Sequence, residues 1–291
     1  MEHTVILDHV TKQYKKCIAV NDVTTRITGP MIYGLIGKNG AGKTTLLKMI
    51  GGLASPTSGT VTVGTKKTVG VLIENPGLFT HLDARDNLLI KMKMTGLDDE
   101  NEAERLLGKV GLANVGKKKA GAFSLGMKQR LGIALALIGD PDLILLDEPV
   151  NGLDPEGIVF IRDFLKELRS EGKTIIVSSH LLGELSKVSD RYGFLDNGRL
   201  IKELGASELN HEDSSVFSLS VDRIAPAFDL LLSNGYRVSL EDNLILIRES
   251  EQRASQALSA VLSEGVVVKE FKKYEVGLEE FFLSGGASND R

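Results

Sequence analysis

Tryptophan is absent from the chain, and cysteine occurs once, at position 17. A single cysteine excludes an internal disulfide and is typical of proteins from a reducing compartment. Because the sequence has no cluster of cysteines and histidines, a structural zinc or iron–sulfur site is not expected. Long apolar runs are also missing, and no segment approaches the roughly 20 apolar residues that a membrane-spanning helix needs. We therefore do not expect the chain to carry a substrate through a bilayer by itself.

Neither sign of charge is in large excess. The chain has 35 Lys and Arg and 39 Asp and Glu, which gives a formal net charge of −4. Acidic side chains also outnumber basic ones in the C-terminal part, from about residue 210. Binding to a phosphate backbone requires an excess of Lys and Arg, so a nucleic-acid partner is not expected. The basic run at residues 117–119 is too short for a basic tract and indicates a solvated end of a helix or loop.

The most informative positive feature is the sequence GKNGAGKT at residues 37–44, which follows the apolar run 31–36. The pattern G-x-x-x-x-G-K-[ST] between a strand and a helix is typical of a phosphate-binding loop. Its glycines let backbone N–H groups approach a triphosphate, and the helix start favours anions. Lys43 supplies charge for the β- and γ-phosphates, and the Thr44 hydroxyl is placed to bind Mg²⁺. The predicted nucleotide-binding residues of this loop are Gly37, Lys38, Asn39, Gly40, Ala41, Gly42, Lys43, Thr44 and Thr45.

A second feature is DLILLDE at residues 142–148, a continuous apolar run that predicts a buried parallel strand. It ends in two carboxylates, Asp147 and Glu148. Because successive side chains on a strand point in opposite directions, the two acids can have different roles. We expect Asp147 to hold Mg²⁺ and Glu148 to act as the general base that activates the attacking water. The pair therefore predicts hydrolysis of the nucleotide.

The segment FSLGMKQ at residues 123–129 opens an alanine-rich apolar run. Ser124 is a predicted N-cap, and the start of the helix offers unpaired N–H donors. The segment resembles the LSGGQ-type signature of ATP-binding cassette (ABC) proteins, with Leu125 where a glycine is usual and with Gly126 in place. Kinases and GTPases that have a P-loop lack such an element. The chain thus resembles the nucleotide-binding subunit of an ABC transporter.

Further motifs follow in the order of that family, and the resemblance covers roughly residues 3–209. Tyr14 matches the aromatic residue that stacks on adenine. The sequence NGLDP at 151–155 matches the D-loop, with Asp154 as its acid, and His180, at the end of TIIVSSH, matches the switch histidine that contacts the γ-phosphate. The resemblance implies catalytic roles for Lys43, Glu148 and His180, and nucleotide contacts from Tyr14, Ser124, Gly126 and Asp154.

One position departs from the common family pattern. The family usually has a glutamine that senses Mg²⁺ and meets the membrane partner, whereas VGVLIENPGLF at residues 69–79 places Glu74 there. An ionised carboxylate only accepts hydrogen bonds, and it attracts Mg²⁺ more strongly than a neutral amide does. Glu74 is therefore a third predicted metal residue, with Thr44 and Asp147. Glutamate in this context resembles the ATPases of bacitracin- and lantibiotic-type peptide export and immunity systems. The alternative is a neutral exchange in a generic cassette protein.

We predict an α/β fold for residues 1–209, a P-loop ABC cassette with a mixed sheet core. Within residues 1 to about 75 we expect short strands that alternate with tight turns. The spacing of apolar residues predicts a helical subdomain at about 76–135. Residues 210–291 are predicted to form a small α+β accessory domain in the order βαββαβ, which matches a ferredoxin-like motif. Its role stays open between a regulatory or partner-binding module and a stabilising appendage.

The resemblance implies an ATPase subunit that powers a separate membrane permease from the cytoplasmic face of the membrane, as a peripheral protein. The cargo it implies is a peptide antibiotic or similar amphiphile, exported for resistance or immunity. It also implies an ATP-dependent homodimer, in which the signature of one copy caps the γ-phosphate held by Lys43 of the other. The alternative is a soluble ABC-type ATPase in translation, repair or cofactor assembly. Such proteins usually have two cassettes or long coiled-coil insertions, and this sequence has neither. A metabolic kinase is a third class, and the signature and His180 argue against it.

Overall fold

A computed structural model of the chain describes residues 4–65, 67–97, 99–180, 183, 187–206, 216–241 and 243–274. The chain divides into two compact units after Ala206. The boundary predicted between residues 209 and 210 lies in the range 207–215, outside the described residues, and stays a prediction. Residues 275–291 of the predicted accessory domain also lie outside the described residues.

The first unit contains strands and helices that are numbered here in chain order. Its strands are β1 (Thr4–Tyr14), β2 (Cys17–Thr28), β3 (Ile32–Ile36), β4 (Ser58–Gly64), β5 (Val69–Leu72), β6 (Leu143–Asp147), β7 (Thr174–Ser179), β8 (Arg191–Asp196) and β9 (Arg199–Gly205). Its helices with described bounds are α1 (Lys43–Ile50), α2 (Ala84–Met94), α3 (Glu100–Lys109), α4 (Leu125–Ala136) and α5 (Pro155–Ser170).

The core of this unit is a six-stranded sheet in the order β5-β6-β7-β3-β8-β9. Its first five strands pair in parallel, and β9 pairs antiparallel with β8. The strands β3, β6 and β7 are buried at every position, which explains why their sequences are rich in apolar residues. The predicted mixed sheet is therefore confirmed.

A second sheet of three antiparallel strands has the order β2-β1-β4. The prediction of short strands is wrong for β1 and β2, which have 11 and 12 residues. Their pairing contains register shifts between Leu7 and Val10 and between Val10 and Lys12, and His9 has a φ of 49°. Such bulges insert extra residues and interrupt the alternation of apolar and polar positions, so the pattern in the sequence looks like several short strands.

The helices α2, α3 and α4 form the helical part of the first unit, and their ends are capped by short polar side chains. Asp83 accepts from the backbone N–H of Asp86 at the start of α2, and Asp99 caps α3 in the same way. The three helices pack on one another and coincide with the predicted helical range, except for the last residue of α4. None of the helices in the described part of the chain combines the length and apolar character that a bilayer crossing requires.

The second unit has an antiparallel sheet of four strands in the order β11-β12-β10-β13. Its elements are β10 (Val216–Val221), α6 (Ile224–Ser233), β11 (Val238–Glu241), β12 (Leu244–Arg248), α7 (Glu251–Ser263) and β13 (Val268–Tyr274). The side chains of Leu219, Ile245 and Ile247 form an apolar core with Leu231 of α6 and Val261 of α7. The described elements thus follow the order βαββαβ, and their assignment to the ferredoxin-like class stays a prediction.

Candidate nucleotide site

The loop between β3 and α1 owes its path to three glycines. A Cβ on Gly37 would lie 2.3 Å from the carbonyl oxygen of Leu195, and one on Gly42 would lie 2.3 Å from that of Ala19. Gly42 also has a φ of +107°, which side chains rarely allow. At Gly40, with a φ of +86°, an added Cβ would meet no atom within 4 Å. The loop is therefore closely packed at Gly37 and Gly42 and open at Gly40, an arrangement that suits a phosphate-binding loop.

Lys43 is the first residue of α1, and its side chain is only 5% exposed. The ammonium donates to the carbonyl oxygen of Gly37 at 2.6 Å and to that of Lys38 at 3.3 Å, and it lies 3.2 Å from Glu148 Oε1. The N-cap residue, Gly42, supplies no side-chain acceptor to the first N–H groups of the helix. The start of α1 is thus positive and uncapped by a side chain, which suits an anion.

Asp147, at the end of β6, is 5% exposed and accepts two hydrogen bonds from side chains. The hydroxyl of Thr44 donates to its Oδ2 at 2.7 Å, and the hydroxyl of Ser178 donates to its Oδ1 at 2.5 Å. The structure therefore brings together two of the three predicted metal residues. A hydroxyl beside a single carboxylate fits Mg²⁺, because this ion commonly binds to one or two carboxylates and completes its shell with waters and substrate phosphates.

Glu148 follows Asp147 and has a φ of 49°, in the left-handed region. Such a conformation costs a residue other than glycine about 1–2 kcal/mol, and it is common at functional sites. Its backbone N–H donates to the carbonyl oxygen of Ser178 at 3.2 Å and to the Ser178 hydroxyl at 3.0 Å. Its carboxylate Oε2 lies 2.8 Å from Nδ1 of His180. One carboxylate oxygen thus contacts the histidine, and the other faces Lys43.

Sequence reasoning missed Ser178, which is fully buried and lies directly beside Asp147 in the pairing of β7 with β6. Its hydroxyl contacts both acids, since it donates to Asp147 and accepts from the backbone of Glu148. The available signal was a pair of serines that follows the apolar residues 175–177 in the buried strand β7.

Glu74, the third predicted metal residue, contacts Lys48 of α1 rather than Thr44 or Asp147. Its φ is 62°, its side chain is 62% exposed, and its Oε1 lies 2.6 Å from the Lys48 ammonium. That hydrogen bond raises the pKa of Lys48, and the charges of Glu74, Tyr14 and Asp147 add to the increase. Glu74 therefore approaches the nucleotide loop through Lys48, and its role toward Mg²⁺ stays a prediction.

Tyr14, the predicted adenine-stacking residue, ends β1 and is 46% exposed. The ammonium of Lys12 lies 5.0 Å from the centre of its ring. An exposed ring at the end of a strand is available to stack on a base, and this role stays a prediction.

The signature residues lie at the start of α4, where the side chain of Ser124 accepts from the backbone N–H of Met127 at 3.3 Å. The predicted N-cap is therefore confirmed. A Cβ on Gly126 would lie 3.7 Å from the side chain of Leu153, so the signature borders the D-loop. Asp154 caps α5, since it accepts from the backbone N–H of Gly157 at 2.9 Å. The nucleotide contacts predicted for Ser124, Gly126 and Asp154 stay predictions.

Comparison with known proteins identifies the class of this chain. Residues 20–151 match the family model described as ABC transporter. Over 98% of each chain, the protein is 38% identical to the bacitracin transport ATP-binding protein BcrA of Enterococcus faecalis. It is 43% identical to the lantibiotic transport ATP-binding protein SrtF of Streptococcus pyogenes, over 69% of this chain and 92% of that protein. The chain belongs to the ABC transporter ATP-binding protein family, and the predicted resemblance to bacitracin and lantibiotic ATPases is confirmed.

Solved structures support the same assignment. A dimeric ATP-binding cassette in a post-hydrolysis state, bound to ADP and Pi, is 28% identical and covers 69% of this chain with a TM-score of 0.64. A nucleotide-free cassette of an ABC transporter is 23% identical, covers 72% of this chain with a TM-score of 0.63, and supports the fold alone. The predicted P-loop ABC cassette fold is confirmed, and the protein is an ATP-binding ATPase of the ABC type.

Proposed function

We propose that the protein hydrolyses Mg²⁺-ATP at the site around Lys43 and that it thereby powers a separate membrane permease that exports a peptide antibiotic or similar amphiphile. The observation that carries the proposal is a cluster of short contacts. Lys43 and His180 both contact Glu148, Thr44 contacts Asp147, and Ser178 links the two acids. The similarity to BcrA over 98% of the chain supports the cargo class and a role in resistance.

The loop at residues 37–44 binds the phosphates through backbone N–H groups and the start of α1. Lys43 exchanges its hydrogen bonds to the carbonyl oxygens of Gly37 and Lys38 for bonds to the phosphates. Because this ammonium is almost fully buried, its charge is screened little by solvent and acts strongly on a nearby anion. Tyr14 stacks on the adenine.

Thr44 and Asp147 are the residues that would hold Mg²⁺, with Glu74 at the edge of the site. When bound, the ion neutralises part of the charge that develops on the phosphates. Ser178 keeps the Asp147 carboxylate oriented toward Thr44, since it occupies the other carboxylate oxygen.

Glu148 is the general base in this proposal. His180 contacts Oε2 and leaves Oε1 as the oxygen that accepts a proton from the attacking water. Oε1 makes no hydrogen bond within the described residues, although it lies 3.2 Å from the Lys43 ammonium. When Lys43 turns to the phosphates, this oxygen becomes free for the water.

The partners in this proposal are a permease and a second copy of the chain. The protein acts at the cytoplasmic face of the membrane, where ATP is present, as a peripheral subunit. In the homodimer, Ser124 and Gly126 of one copy complete the site around Lys43 of the other, and two-fold symmetry gives two equal sites. Asp154 lies in the D-loop beside this signature. The dimeric cassette among the solved structures supports this arrangement.

Steady-state ATP hydrolysis by purified protein tests the assignment. We expect Glu148→Gln to bind ATP but to hydrolyse it roughly 10²–10⁴-fold more slowly, because the general base is lost. Lys43→Ala should lose most ATP affinity. Glu167→Gln is a matched control, since this exposed acid lies near the C-terminal end of α5, outside the predicted site residues. Hydrolysis by Glu148→Gln near the wild-type rate would refute the assignment of the base.

A separate experiment tests the transport role. An adjacent gene that encodes about six membrane-spanning segments would identify the permease. Co-expression of both genes should raise resistance of a sensitive host to a peptide antibiotic, and Glu148→Gln in the ATPase should abolish this gain. If hydrolysis is normal while the pair confers no resistance to bacitracin or to any lantibiotic tested, the cargo part of the proposal is wrong.

A further inference from the structure

The ion pair between Lys48 and Glu74 joins two segments of the nucleotide site. Lys48 lies on α1, one helical turn after Thr44, so both side chains lie on the same side of the helix. Glu74 lies in the loop after β5, and its carboxylate Oε1 is 2.6 Å from the Lys48 ammonium. The loop that carries Glu74 is thus attached directly to the helix that follows the phosphate loop.

Glu74 adds a negative charge beside a site for a ligand that is itself strongly negative. ATP carries about four negative charges, and a carboxylate near its phosphates lowers its affinity by Coulomb repulsion unless a cation intervenes. Lys48 is placed to be that cation. Its hydrogen bond to Glu74 raises the pKa of Lys48, and the charges of Glu74, Tyr14 and Asp147 add to the increase, so the lysine is a cation at this point.

We infer that Lys48 is a positioning residue for Glu74, because it holds the carboxylate at the edge of the site and offsets its charge toward Mg²⁺-ATP. This inference rests on the proposed function and explains how a glutamate works where the family usually has a neutral glutamine. The backbone of Glu74 supports it, since a φ of 62° is unfavourable for glutamate and needs an interaction that stabilises it.

The alternative is that the Lys48–Glu74 pair is an ordinary surface salt bridge without a role in nucleotide binding. Such pairs contribute little to stability, so removing one changes unfolding only slightly. The two explanations differ in nucleotide affinity. If Lys48 compensates Glu74, loss of the lysine weakens ATP binding only while residue 74 carries a negative charge.

A double-mutant cycle tests the inference through equilibrium affinity for Mg²⁺-ATP, measured by calorimetry. Lys48→Met removes the charge and keeps the apolar stem. We expect it to weaken binding by roughly three- to fivefold in the wild-type background and by less than about twofold together with Glu74→Gln. Lys48→Arg should retain affinity close to that of the wild type. The effect of Lys48→Met should also shrink when NaCl rises from about 50 mM to about 500 mM, because salt screens exposed charges.

Lys166→Met, which removes an exposed lysine on α5, is the control for loss of one positive charge and should leave affinity unchanged. Equal effects of Lys48→Met in the two backgrounds, or no effect in the wild-type background, would overturn the inference while ATP binding by the wild-type protein upholds the proposed function. A wild-type protein that does not bind ATP would refute both.

Discussion

Ser178 shows how one buried hydroxyl can serve two neighbouring acids. It donates to the carboxylate of Asp147 and accepts from the backbone N–H of Glu148, so a single side chain positions both the proposed metal-binding acid and the proposed base. A hydrogen bond to a charged group contributes roughly 1.5–3 kcal/mol, more than one between neutral groups. We therefore expect loss of the Ser178 hydroxyl to disturb the placement of both acids.

We predict that Ser178→Ala lowers kcat for ATP hydrolysis about tenfold, with a smaller change in KM, because about 1.4 kcal/mol of orientation is lost in the transition state. Single-turnover and steady-state assays measure both constants. Ser189→Ala is the matched control, since this buried hydroxyl makes no hydrogen bond within the described residues. An unchanged kcat in Ser178→Ala would show that β7 holds the acids through its backbone alone.

The residues of the site differ in how far the sequence predicts them. Lys43, Thr44, Asp147 and Glu148 belong to motifs with fixed spacing, and the structure places them in one cluster. Ser178 and Lys48 were not predicted, because their roles depend on partners 31 and 26 positions away. Those contacts arise from the pairing of β6 with β7 and from the path of the loop after β5, neither of which has a local pattern.

At the scale of single elements, α5 begins in the D-loop, and its start depends on Asp154. The carboxylate accepts from the N–H of Gly157, and Pro155 occupies the first helical position, where a missing N–H does no harm. Asp154 therefore has a structural role in its own chain, beside the nucleotide role that the family resemblance implies.

We predict that Asp154→Ala lowers the free energy of unfolding by about 1 kcal/mol, as loss of an N-cap usually does, whereas Asp154→Asn retains most of the stability. Urea unfolding measures this difference. If ATP hydrolysis falls in Asp154→Asn while stability holds, the carboxylate acts on the nucleotide or its partner copy. If hydrolysis and stability change only in Asp154→Ala, capping is its main role.

Glu203 of β9 joins three strands and thereby links the two sheets of the first unit. Its Oε1 accepts from the hydroxyl of Tyr33 on β3 and from that of Thr25 on β2, both at 2.8 Å. Gly193 of β8 makes room for this network, because a Cβ there would lie 2.0 Å from the Tyr33 hydroxyl. Burial and the charge of Glu203 raise the pKa of Tyr33 well above 10.0.

We predict that Tyr33→Phe lowers the free energy of unfolding by about 1–2 kcal/mol at neutral pH, since Glu203 loses a donor. The raised pKa sets the sign of the pH dependence. The folded state favours the neutral phenol, so its contribution is fully present below pH 10.0, where unfolded tyrosine titrates, and is lost as pH rises above it.

The difference in stability between wild type and Tyr33→Phe should therefore shrink above about pH 10. Urea unfolding at a series of pH values, from about 7 to about 11, measures it. A difference that stays constant through this range would mean that Tyr33 does not titrate differently in the two states.

The elements themselves were predictable where one pattern dominates. The strands β3 and β6 are almost entirely apolar, β7 has an apolar centre, and α4 begins at a predicted cap. The strands β1 and β2 were predicted as shorter pieces, because their bulges break the alternation on which strand prediction depends. The order of strands in the sheet follows from packing between distant segments, which no local pattern contains.

At the scale of the whole molecule, the relatives differ in how much of this chain they match. The match to SrtF includes 92% of that protein but only 69% of this chain. About a third of this chain therefore lies outside the match. BcrA, in contrast, is matched over 98% of its length. The match to BcrA thus extends over both units, whereas the match to SrtF leaves uncovered a part of this chain about as long as the second unit.

In the proposed site, one copy of the first unit would provide charge to one side of the triphosphate only. Thr44 contacts Asp147, and Lys43 contacts Glu148. Ser124, Gly126 and Asp154 instead make their contacts around α4 and α5. The uncapped side of the γ-phosphate needs donors from elsewhere, and the start of α4 offers them. A head-to-tail pair of copies satisfies this need twice by symmetry.

We therefore predict that ATP drives the formation of a homodimer and that hydrolysis releases it. Glu148→Gln with Mg²⁺-ATP should be a dimer by multi-angle light scattering at about micromolar protein, because the bound nucleotide persists and links the two copies. The same variant with ADP should be monomeric, since the γ-phosphate that the signature contacts is missing. Lys43→Ala is the control that should stay monomeric with either nucleotide, because it binds neither well. A monomer of Glu148→Gln at saturating ATP would contradict an assembly in which the nucleotide itself joins the two copies.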